Sequence, residues 1–291
     1  MLKISKISFP GLGIGEFEVD SVAFSIGNVE IAWYAIIITI GIIAASLYTI
    51  WRANQVNIST EDIIDGILFV VPSGIVGARL YYVLTTLENY HSFKDVINIR
   101  EGGLAIYGGI LAGALAVYLV MRYKKIPFLT IADCCTPGII LAQSIGRWGN
   151  FMNGEAYGYQ TDSFIRMGLQ NVNTRVDFAT AEMVFVHPTF LYESLWNLVG
   201  FILINLFYKH RKYGGQVLII VFGWYGLGRM WIEGLRTDSL MIFGDTVRVS
   251  QLLAFLIFVA AASALIFLAI KKPQKPLYVA DKKEKNTKKK K

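Results

Sequence analysis

Residues 127–158 read PFLTIADCCTPGIILAQSIGRWGNFMNGEAYG and join two contrasting kinds of sequence. The first part, Pro127–Ile145, is mostly apolar and close to the length of about 20 residues that a helix needs to cross a bilayer. The second part, Gly146–Gly158, contains four glycines, two asparagines, one arginine and one glutamate. We expect these glycines to break the helix, and irregular backbone at membrane depth requires protein or a water-filled cavity to satisfy it. The stretch therefore predicts a membrane span that ends in a polar site.

Apolar blocks of similar length recur along the chain and place it in the membrane class. Of its 291 residues, 54% are hydrophobic and only 17% are charged, whereas soluble domains carry about 25% charged residues. The predicted spans are Val29–Trp51, Ile63–Leu84, Leu104–Met121, Pro127–Ile145, Val186–Tyr208, Gln216–Leu235 and Gln251–Ile270. We predict an all-α polytopic membrane protein with about seven transmembrane helices, a small extracytoplasmic head and short interfacial elements.

The two ends of the chain differ from this apolar body. Residues 1–28 lack the continuous apolar region of a cleavable signal peptide, and residues 16–26 partly alternate, as an interfacial strand does. We predict an extracytoplasmic segment 1–28, a transmembrane body 29–270 with a head at 159–186, and a basic cytoplasmic tail 271–291. The tail supplies most of the net charge of +7 and is predicted to be solvated, with some attraction to anionic lipid. Since no folded soluble domain accompanies the basic run, nucleic-acid binding is not expected.

Lysines and arginines between the spans predict the orientation. With the amino terminus outside and the carboxy terminus in the cytoplasm, 17 basic residues fall inside and 9 outside. Polar residues of several spans then gather toward the outer face: Tyr34, Arg79, Tyr107, Arg147, His187, Arg229 and Glu233. Guanidinium groups are always charged and bind phosphate in bidentate geometry. Arginines at that depth therefore predict an anionic ligand, for which a phospholipid head group is the natural candidate.

The glycine-rich segment GGLAIYGGILAG, Gly102–Gly113, permits two interpretations. Small residues favour a close helix–helix crossing, because they let two backbones approach. The pair Gly102 and Gly103 also suits a loop whose bare backbone approaches a ligand. In that second interpretation, Tyr107 points from the helix start into a cavity.

Ionisable residues in the fifth and sixth spans have both structural and functional interpretations. Tyr225, Arg229 and Glu233 are spaced to share one helical face. Glu233 either neutralises a buried arginine or orients it toward a phosphate, and both roles are compatible. In HPTFLYES, His187 is either structural or a substrate contact, whereas Glu193 is interpreted as a buried hydrogen-bonding partner.

Cysteine and histidine usage indicates neither a disulfide nor a metal site. Cys134 and Cys135 are adjacent in a predicted span and point about 100° apart on a helix. We interpret them as small apolar residues that fill space. The chain has three histidines and no HExxH motif, so no zinc site is predicted.

The segment Gly146–Gly158 resembles the signature of the prolipoprotein diacylglyceryl transferase family, G-R-x-G-N-F-x-N-x-E-x-x-G, and every fixed position is present. The resemblance extends through GGLAIYGG, HPTFLYE and residues 225–236, and so covers spans one to six. It implies a seven-helix membrane body with a small outward-facing head. It also implies transfer of the diacylglyceryl group of phosphatidylglycerol to the lipobox cysteine of a preprolipoprotein signal peptide. The implied products are a thioether and glycerol phosphate, and no metal or cofactor is implied.

The resemblance and the residue patterns together suggest individual roles. Residues expected to act in catalysis are Tyr34, Arg147, Asn150, Glu155, Arg229 and Glu233. Residues expected to contact the substrates are Tyr107, Arg147, Gly158, His187, Tyr225 and Arg229. In the expected mechanism, Arg147 and Arg229 hold the phosphodiester and offset charge on the leaving phosphate. Asn150 and Tyr34 orient the head group, while Glu155 fixes an arginine or accepts the thiol proton.

One position departs from the family pattern. Many members carry a histidine, proposed as the base, where this chain has Tyr107. A tyrosine with a pKa of about 10 is a poor base at neutral pH. Either Tyr107 only positions lipid, or another group accepts the proton from a thiol whose anion an arginine stabilises.

Two other functions could use the same arginines. An anionic-lipid transporter or flippase predicts an inverted repeat and a site at the bilayer midplane. This chain shows no convincing internal repeat, and its polar residues gather on one side. The second alternative is a non-catalytic lipid-binding protein. The expected location in each case is the bacterial cytoplasmic membrane, with the site toward the outer leaflet.

Overall fold

The computed structural model describes residues 4–90, 92–98, 102–171, 183–237, 241–242, 247–271 and 277. Its helices are α1 (Trp33–Asn54), α2 (Thr60–Thr85), α3 (Phe93–Ile97), α4 (Ile106–Tyr123), α5 (Phe128–Asn153), α6 (Thr189–Phe207), α7 (Gln216–Ile232) and α8 (Val249–Lys271). Its strands are β1 (Ile4–Phe9), β2 (Ile14–Asp20), β3 (Val22–Ile26), β4 (Val29–Ala32), β5 (Met167–Asn171), β6 (Val184–Val186), β7 (Met241–Ile242) and β8 (Val247–Arg248). Helices thus occupy most of each apolar block, and strands lie at or beyond the block ends.

The apolar helices confirm the membrane class. In the described part of the chain, six helices are long and apolar enough to cross a bilayer, namely α1, α2, α4, α5, α6 and α8. The sixth predicted span contains α7, which has 17 residues and is shorter than each of these six helices. At 1.5 Å per residue such a helix covers roughly 25 Å of the hydrocarbon core. The predicted count of seven spans is therefore approximate.

A four-stranded antiparallel sheet joins the N-terminal segment to the segment after α5. Its strand order is β2-β1-β5-β6. The buried residues of this sheet pack against Phe151 near the end of α5 and Phe190 near the start of α6. Strands β2 and β3 confirm the extended structure predicted for residues 16–26, although the all-α description omits these sheets. Residues 172–182 of the predicted head, and the predicted tail beyond Lys271 except residue 277, lie outside the described residues.

Two compact units make up the chain. Of the described residues, those in 4–47 and 135–271 form one unit, and those in 48–134 belong to the other. The first unit contains the four-stranded sheet and α6, α7 and α8. The second contains α2, α3 and α4.

Helices α2 and α4 of the second unit cross in close contact. A Cβ atom on Gly108 would lie 2.2 Å from the carbonyl oxygen of Gly77, and one on Gly77 would lie 2.2 Å from the Cβ of Ala112. Side chains at these positions would push the two backbones apart, so only glycine permits the crossing. The helix-crossing interpretation of Gly102–Gly113 is therefore confirmed.

Cys134 has the space-filling role predicted for it, and for Cys135 that role stays a prediction. Cys134 is buried in a core cluster of the second unit that also contains Ala53, Met121 and Ile131. Neither Cys134 nor Cys135 forms a disulfide.

Arg79 has a structural role in the loop that precedes α4. Its Nε donates to the carbonyl of Val96, its Nη1 to the carbonyls of Gly102 and Gly103, and its Nη2 to the carbonyl of Asp95. Both glycines have positive φ, 90° and 75°, which residues with a side chain rarely adopt. The loop backbone thus approaches a guanidinium rather than a ligand. Since four of the five donors of Arg79 bind carbonyl oxygens, this geometry does not support the prediction that Arg79 binds an anion.

The helix crossing gives a direct test in a matched pair of α4 variants. We expect Gly108→Ala to lower the free energy of unfolding by about 1–3 kcal/mol, because the new Cβ would overlap the backbone of α2. Gly113→Ala is the control, because its Cβ would meet Val70 at an ordinary distance of 3.7 Å. Denaturant unfolding in detergent micelles measures both, and equal effects of the two substitutions would contradict the crossing.

Candidate functional site

The signature segment does not break α5 at its first two glycines. The helix continues through Gly146 and Gly149 to Asn153, and a left-handed backbone occurs at Gly154, where φ is 61°. The expected break at the first two glycines is therefore wrong. These residues provide space instead, because a Cβ on Gly149 would lie 2.8 Å from the ring of Tyr34 in α1. This close approach places Tyr34 beside the polar end of α5.

The polar residues of the segment form one hydrogen-bonded chain. Arg147 Nη1 donates to Asn150 Oδ1 at 3.1 Å, and Asn150 Nδ2 donates to Glu155 Oε1 at 2.9 Å. Asn153 Nδ2 donates to the same oxygen of Glu155 at 3.2 Å. Tyr34 lies within electrostatic reach of both Glu155 and Arg147. The structure thus brings four predicted site residues together, with Asn150 between the arginine and the glutamate.

Glu193 of α6 links the two arginines that the sequence predicts at the site. Its Oε1 accepts from Arg147 Nη2 at 2.5 Å, and its Oε2 accepts from Arg229 Nη1 at 3.2 Å. Only 5% of Glu193 is exposed, and a buried carboxylate needs such partners. The interpretation of Glu193 as a buried partner is confirmed. The sequence did not predict that Glu193 links both arginines, because Arg147 and Arg229 lie 46 and 36 residues from it along the chain.

Glu233 binds the other side of Arg229. Its Oε2 lies 2.6 Å from Arg229 Nη2 and 4.0 Å from Arg236 Nε. Helix α7 ends at Ile232, and Glu233 begins the 3₁₀ turn that follows. The neutralising pair predicted from the spacing is therefore confirmed. Tyr225 is half-buried two turns earlier on the same face of α7, and its contact with substrate stays a prediction.

Arg147 and Arg229 keep donors for a further anion. A guanidinium has five N–H donors. Within the described part of the chain, each Nη atom of Arg147 donates one hydrogen bond, whereas Arg229 donates one from Nη1 to Glu193 and has its Nη2 in an ion pair 2.6 Å from Glu233. Their side chains are 23% and 15% exposed, and the remaining donors of both are not bound by carbonyls as those of Arg79 are. Within the described residues, each arginine therefore keeps N–H donors that its present contacts do not use.

Two tryptophans fix α6 against α7 near these charges. Trp196 and Trp224 stack with ring centroids 4.4 Å apart, and each indole Nε1 donates to the carbonyl of the other residue. Gly200 and Gly228 leave space for the rings, since a Cβ on either would lie 2.1 Å from an indole nitrogen. Arg229 directly follows Gly228, so this interlock fixes the arginine relative to α6.

Gly158, the last glycine of the signature, lies where three segments meet. Its N–H donates to the carbonyl of His187 at 2.9 Å. The N–H of Tyr159 donates to the carbonyl of Leu235 at 2.8 Å. A Cβ on Gly158 would lie 2.6 Å from the Cβ of His187 and 2.8 Å from the oxygen of Leu235. Packing therefore accounts for the glycine, and its predicted contact with substrate stays a prediction.

A cleft opens at this junction, beside His187. The cleft has a volume of about 420 Å³ and is lined by Tyr157, Gly158, Tyr159, Gln160, Val186 and Thr237. His187 is half-buried, and its Nδ1 lies 3.1 Å from the hydroxyl of Tyr192. Burial lowers the pKa of His187 below the usual value for an imidazole. Burial thus disfavours the charged form of this ring.

Tyr107 belongs to the second unit, as Arg79 does. It lies in the first turn of α4 and its side chain is exposed. Its expected role in lipid positioning stays a prediction.

Arg147, Asn150, Glu155 and Gly158 of this site lie in the segment Gly146–Gly158 that resembles a family signature. The family model for prolipoprotein diacylglyceryl transferase matches residues 21–267. The chain belongs to this family. A family member from Clostridium perfringens (strain 13), phosphatidylglycerol–prolipoprotein diacylglyceryl transferase 1, is 43% identical over 266 residues, which cover 90% of this chain and 100% of the relative. The transferase of Listeria welshimeri is 38% identical over 280 residues, 96% of this chain and 100% of the relative. The transferase of Clostridium kluyveri is 42% identical over 255 residues, which cover 86% of this chain and 97% of the relative.

The shared carboxylate gives a prediction that a double-mutant cycle checks. We expect Glu193→Gln and Arg229→Gln to show a coupling energy of about 1–3 kcal/mol in denaturant unfolding, because they remove the two partners of one buried contact. Ser194→Ala with Arg229→Gln is the control. Ser194 is the buried neighbour of Glu193 and exchanges hydrogen bonds with Ser144, so this pair should be additive within about 0.5 kcal/mol. Additivity of the first pair would contradict the proposed link.

Proposed function

We propose that this chain transfers the diacylglyceryl group of phosphatidylglycerol to the thiol of the lipobox cysteine of a preprolipoprotein. This reaction is the first step of bacterial lipoprotein maturation. Relatives that match nearly the whole chain are named as transferases of this kind. The observation that carries the proposal is the pair Arg147 and Arg229, which one buried carboxylate joins and which both keep donors for an anion.

The chemistry requires a site that holds a phosphodiester and stabilises its departure. The cysteine thiolate attacks the glycerol carbon that bears the phosphate, so a C–S bond forms as the C–O bond breaks. Glycerol phosphate leaves with the electron pair of that bond, and the acyl chains stay on the transferred group. Charge increases on the leaving oxygen during the step, so Arg147 and Arg229 bind the transition state more strongly than the intact lipid.

The remaining site residues support these two arginines. Asn150 and Tyr34 orient the head group by hydrogen bonding, and Glu233 orients Arg229. Amide donors from Asn150 and Asn153 fix the position of Glu155 through its Oε1, and this carboxylate is the proposed acceptor of the thiol proton. Residues proposed to contact the lipid or the peptide are Tyr107, Gly158, His187 and Tyr225.

The orientation follows from the distribution of basic residues. We place the amino terminus outside and the carboxy terminus in the cytoplasm, with the site toward the outer leaflet of the bacterial cytoplasmic membrane. In this arrangement the acyl chains of phosphatidylglycerol remain in the bilayer while its head group reaches Arg147. The cysteine of a secreted preprolipoprotein arrives at the same side.

The activity is tested with purified protein, radiolabelled phosphatidylglycerol and a lipobox peptide. We expect thioether-linked peptide to accumulate with the wild-type chain. Arg147→Ala should lower kcat/KM by at least roughly 30-fold, which corresponds to about 2 kcal/mol of lost transition-state stabilisation. Arg122→Ala, at the exposed end of α4, is the control and should keep the wild-type rate. A wild-type rate for Arg147→Ala would exclude its role, and lipid movement without product would instead support a transporter.

The base is identified by the pH dependence of the rate. We expect Glu155→Gln to lower kcat and to change the rise of the rate with pH, because it removes the proton acceptor for a thiol whose ordinary pKa is about 8.5. Tyr107→Phe should leave the profile unchanged if Tyr107 only positions lipid. If Tyr107→Phe altered the pH profile and Glu155→Gln did not, Tyr107 would be the proton acceptor instead of Glu155.

A further inference from the structure

Strands β3 and β4 form a separate two-stranded hairpin, residues 22–32, directly before α1. Its register pairs Ile26 with Val29, Phe24 with Ile31, and Ser25 with Glu30. Directly opposed residues share one face of an antiparallel pair, and neighbours along a strand alternate between faces. One face therefore carries four apolar side chains, Phe24, Ile26, Val29 and Ile31. The other face carries Ser25 and Glu30.

The apolar face of the hairpin is mostly uncovered by the described protein. The exposed fractions of Ile26, Phe24 and Val29 are 67%, 50% and 49%. A hairpin of two strands is at best marginally stable in water, because one of its faces needs an apolar layer against it. Such a contiguous apolar face is typical of a surface that meets another phase or partner.

The occupant of this face follows from the connection to α1. Strand β4 ends at Ala32 and α1 begins at Trp33, with no residue between them. Helix α1 is one of the candidate membrane spans, and the N–H of Trp33 donates to the carbonyl of Ser21 at 2.9 Å, which closes the base of the hairpin on the helix start. The apolar face is thus held at the end of a membrane helix, where aromatic residues such as Trp33 and Tyr34 favour the membrane–water interface.

We propose that the hairpin 22–32 lies on the bilayer surface as a membrane anchor. Phe24, Ile26 and Val29 enter the upper acyl region of the leaflet, and Ser25 and Glu30 face the water. An amphipathic element of this kind binds a membrane through its buried apolar area without crossing it. The proposal is independent of the transferase activity, because it needs only the membrane helix and the face of the hairpin.

The anchor also has a consequence for the first turn of α1. Tyr34 lies in that turn and packs against Gly149 at the polar end of α5. Because hydrogen bonding joins the hairpin to the start of α1, the depth of the hairpin in the leaflet sets the depth of Tyr34.

Spin labels on opposite faces of the hairpin test the proposal. The full chain, with Cys134→Ala and Cys135→Ala, is labelled with a nitroxide at Ile26→Cys or at Ser25→Cys. It is then reconstituted into vesicles of phosphatidylglycerol and phosphatidylcholine. Oxygen, which concentrates in the acyl region, and a water-soluble nickel chelate are used as relaxing agents. We expect the ratio of oxygen to nickel accessibility to be several-fold higher at position 26 than at position 25.

A second matched pair keeps the test decisive if one labelled variant fails to fold. Val29→Cys and Glu30→Cys place the label on β4 instead of β3. Position 29 lies on the apolar face and position 30 on the polar face, so we expect only the label at position 29 to lie in lipid. High nickel accessibility at both 26 and 29 would overturn the anchor. Equally low nickel accessibility at positions 25, 26, 29 and 30 would overturn the proposal that only the apolar face meets lipid.

Discussion

A buried carboxylate shared by two guanidiniums is the constraint on which the site depends. A carboxylate in a protein interior needs partners to stay charged, and two guanidiniums bound to the same carboxylate would repel each other if that acid were absent. Each charge therefore requires the other two. Because the three residues come from α6, α5 and α7, these helices must meet at one point or leave a buried charge unpaired.

Neutral contacts around this point supply the rigidity that the ion pairs require. Ser144 and Ser194 exchange hydrogen bonds with each other's carbonyl groups, which fixes the backbone of α5 against α6 beside Glu193. Phe151 and Phe190 continue the contact, with ring centroids 4.7 Å apart, to the buried face of the four-stranded sheet. Apolar packing and neutral hydrogen bonds thus stabilise the arrangement, whereas a buried ion pair alone offers little net stability.

Sequence periodicity predicted the features that depend on local spacing. The helical blocks and the Arg229–Glu233 pair at i and i+4 follow from positions along one helix. The link through Glu193 joins residues far apart in sequence, so no spacing rule contains it. Glycine disfavours a helix locally, and on that ground the sequence predicts a helix break at Gly149. The packing of Tyr34 against it outweighs that local preference, and such a tertiary contact cannot be seen in one sequence.

Arginines near the ends of apolar blocks look alike in the sequence, and only their partners distinguish them. Four neutral carbonyl oxygens surround the guanidinium of Arg79 and leave little of it for another ligand. Carboxylates bind Arg147 and Arg229 instead, so the two charges are offset while other donors remain. In the proposed reaction, a phosphodiester would meet donors that are already oriented, so little reorganisation would be needed as its charge increases. A shared acid can therefore hold two cations together and still leave them able to bind an anion.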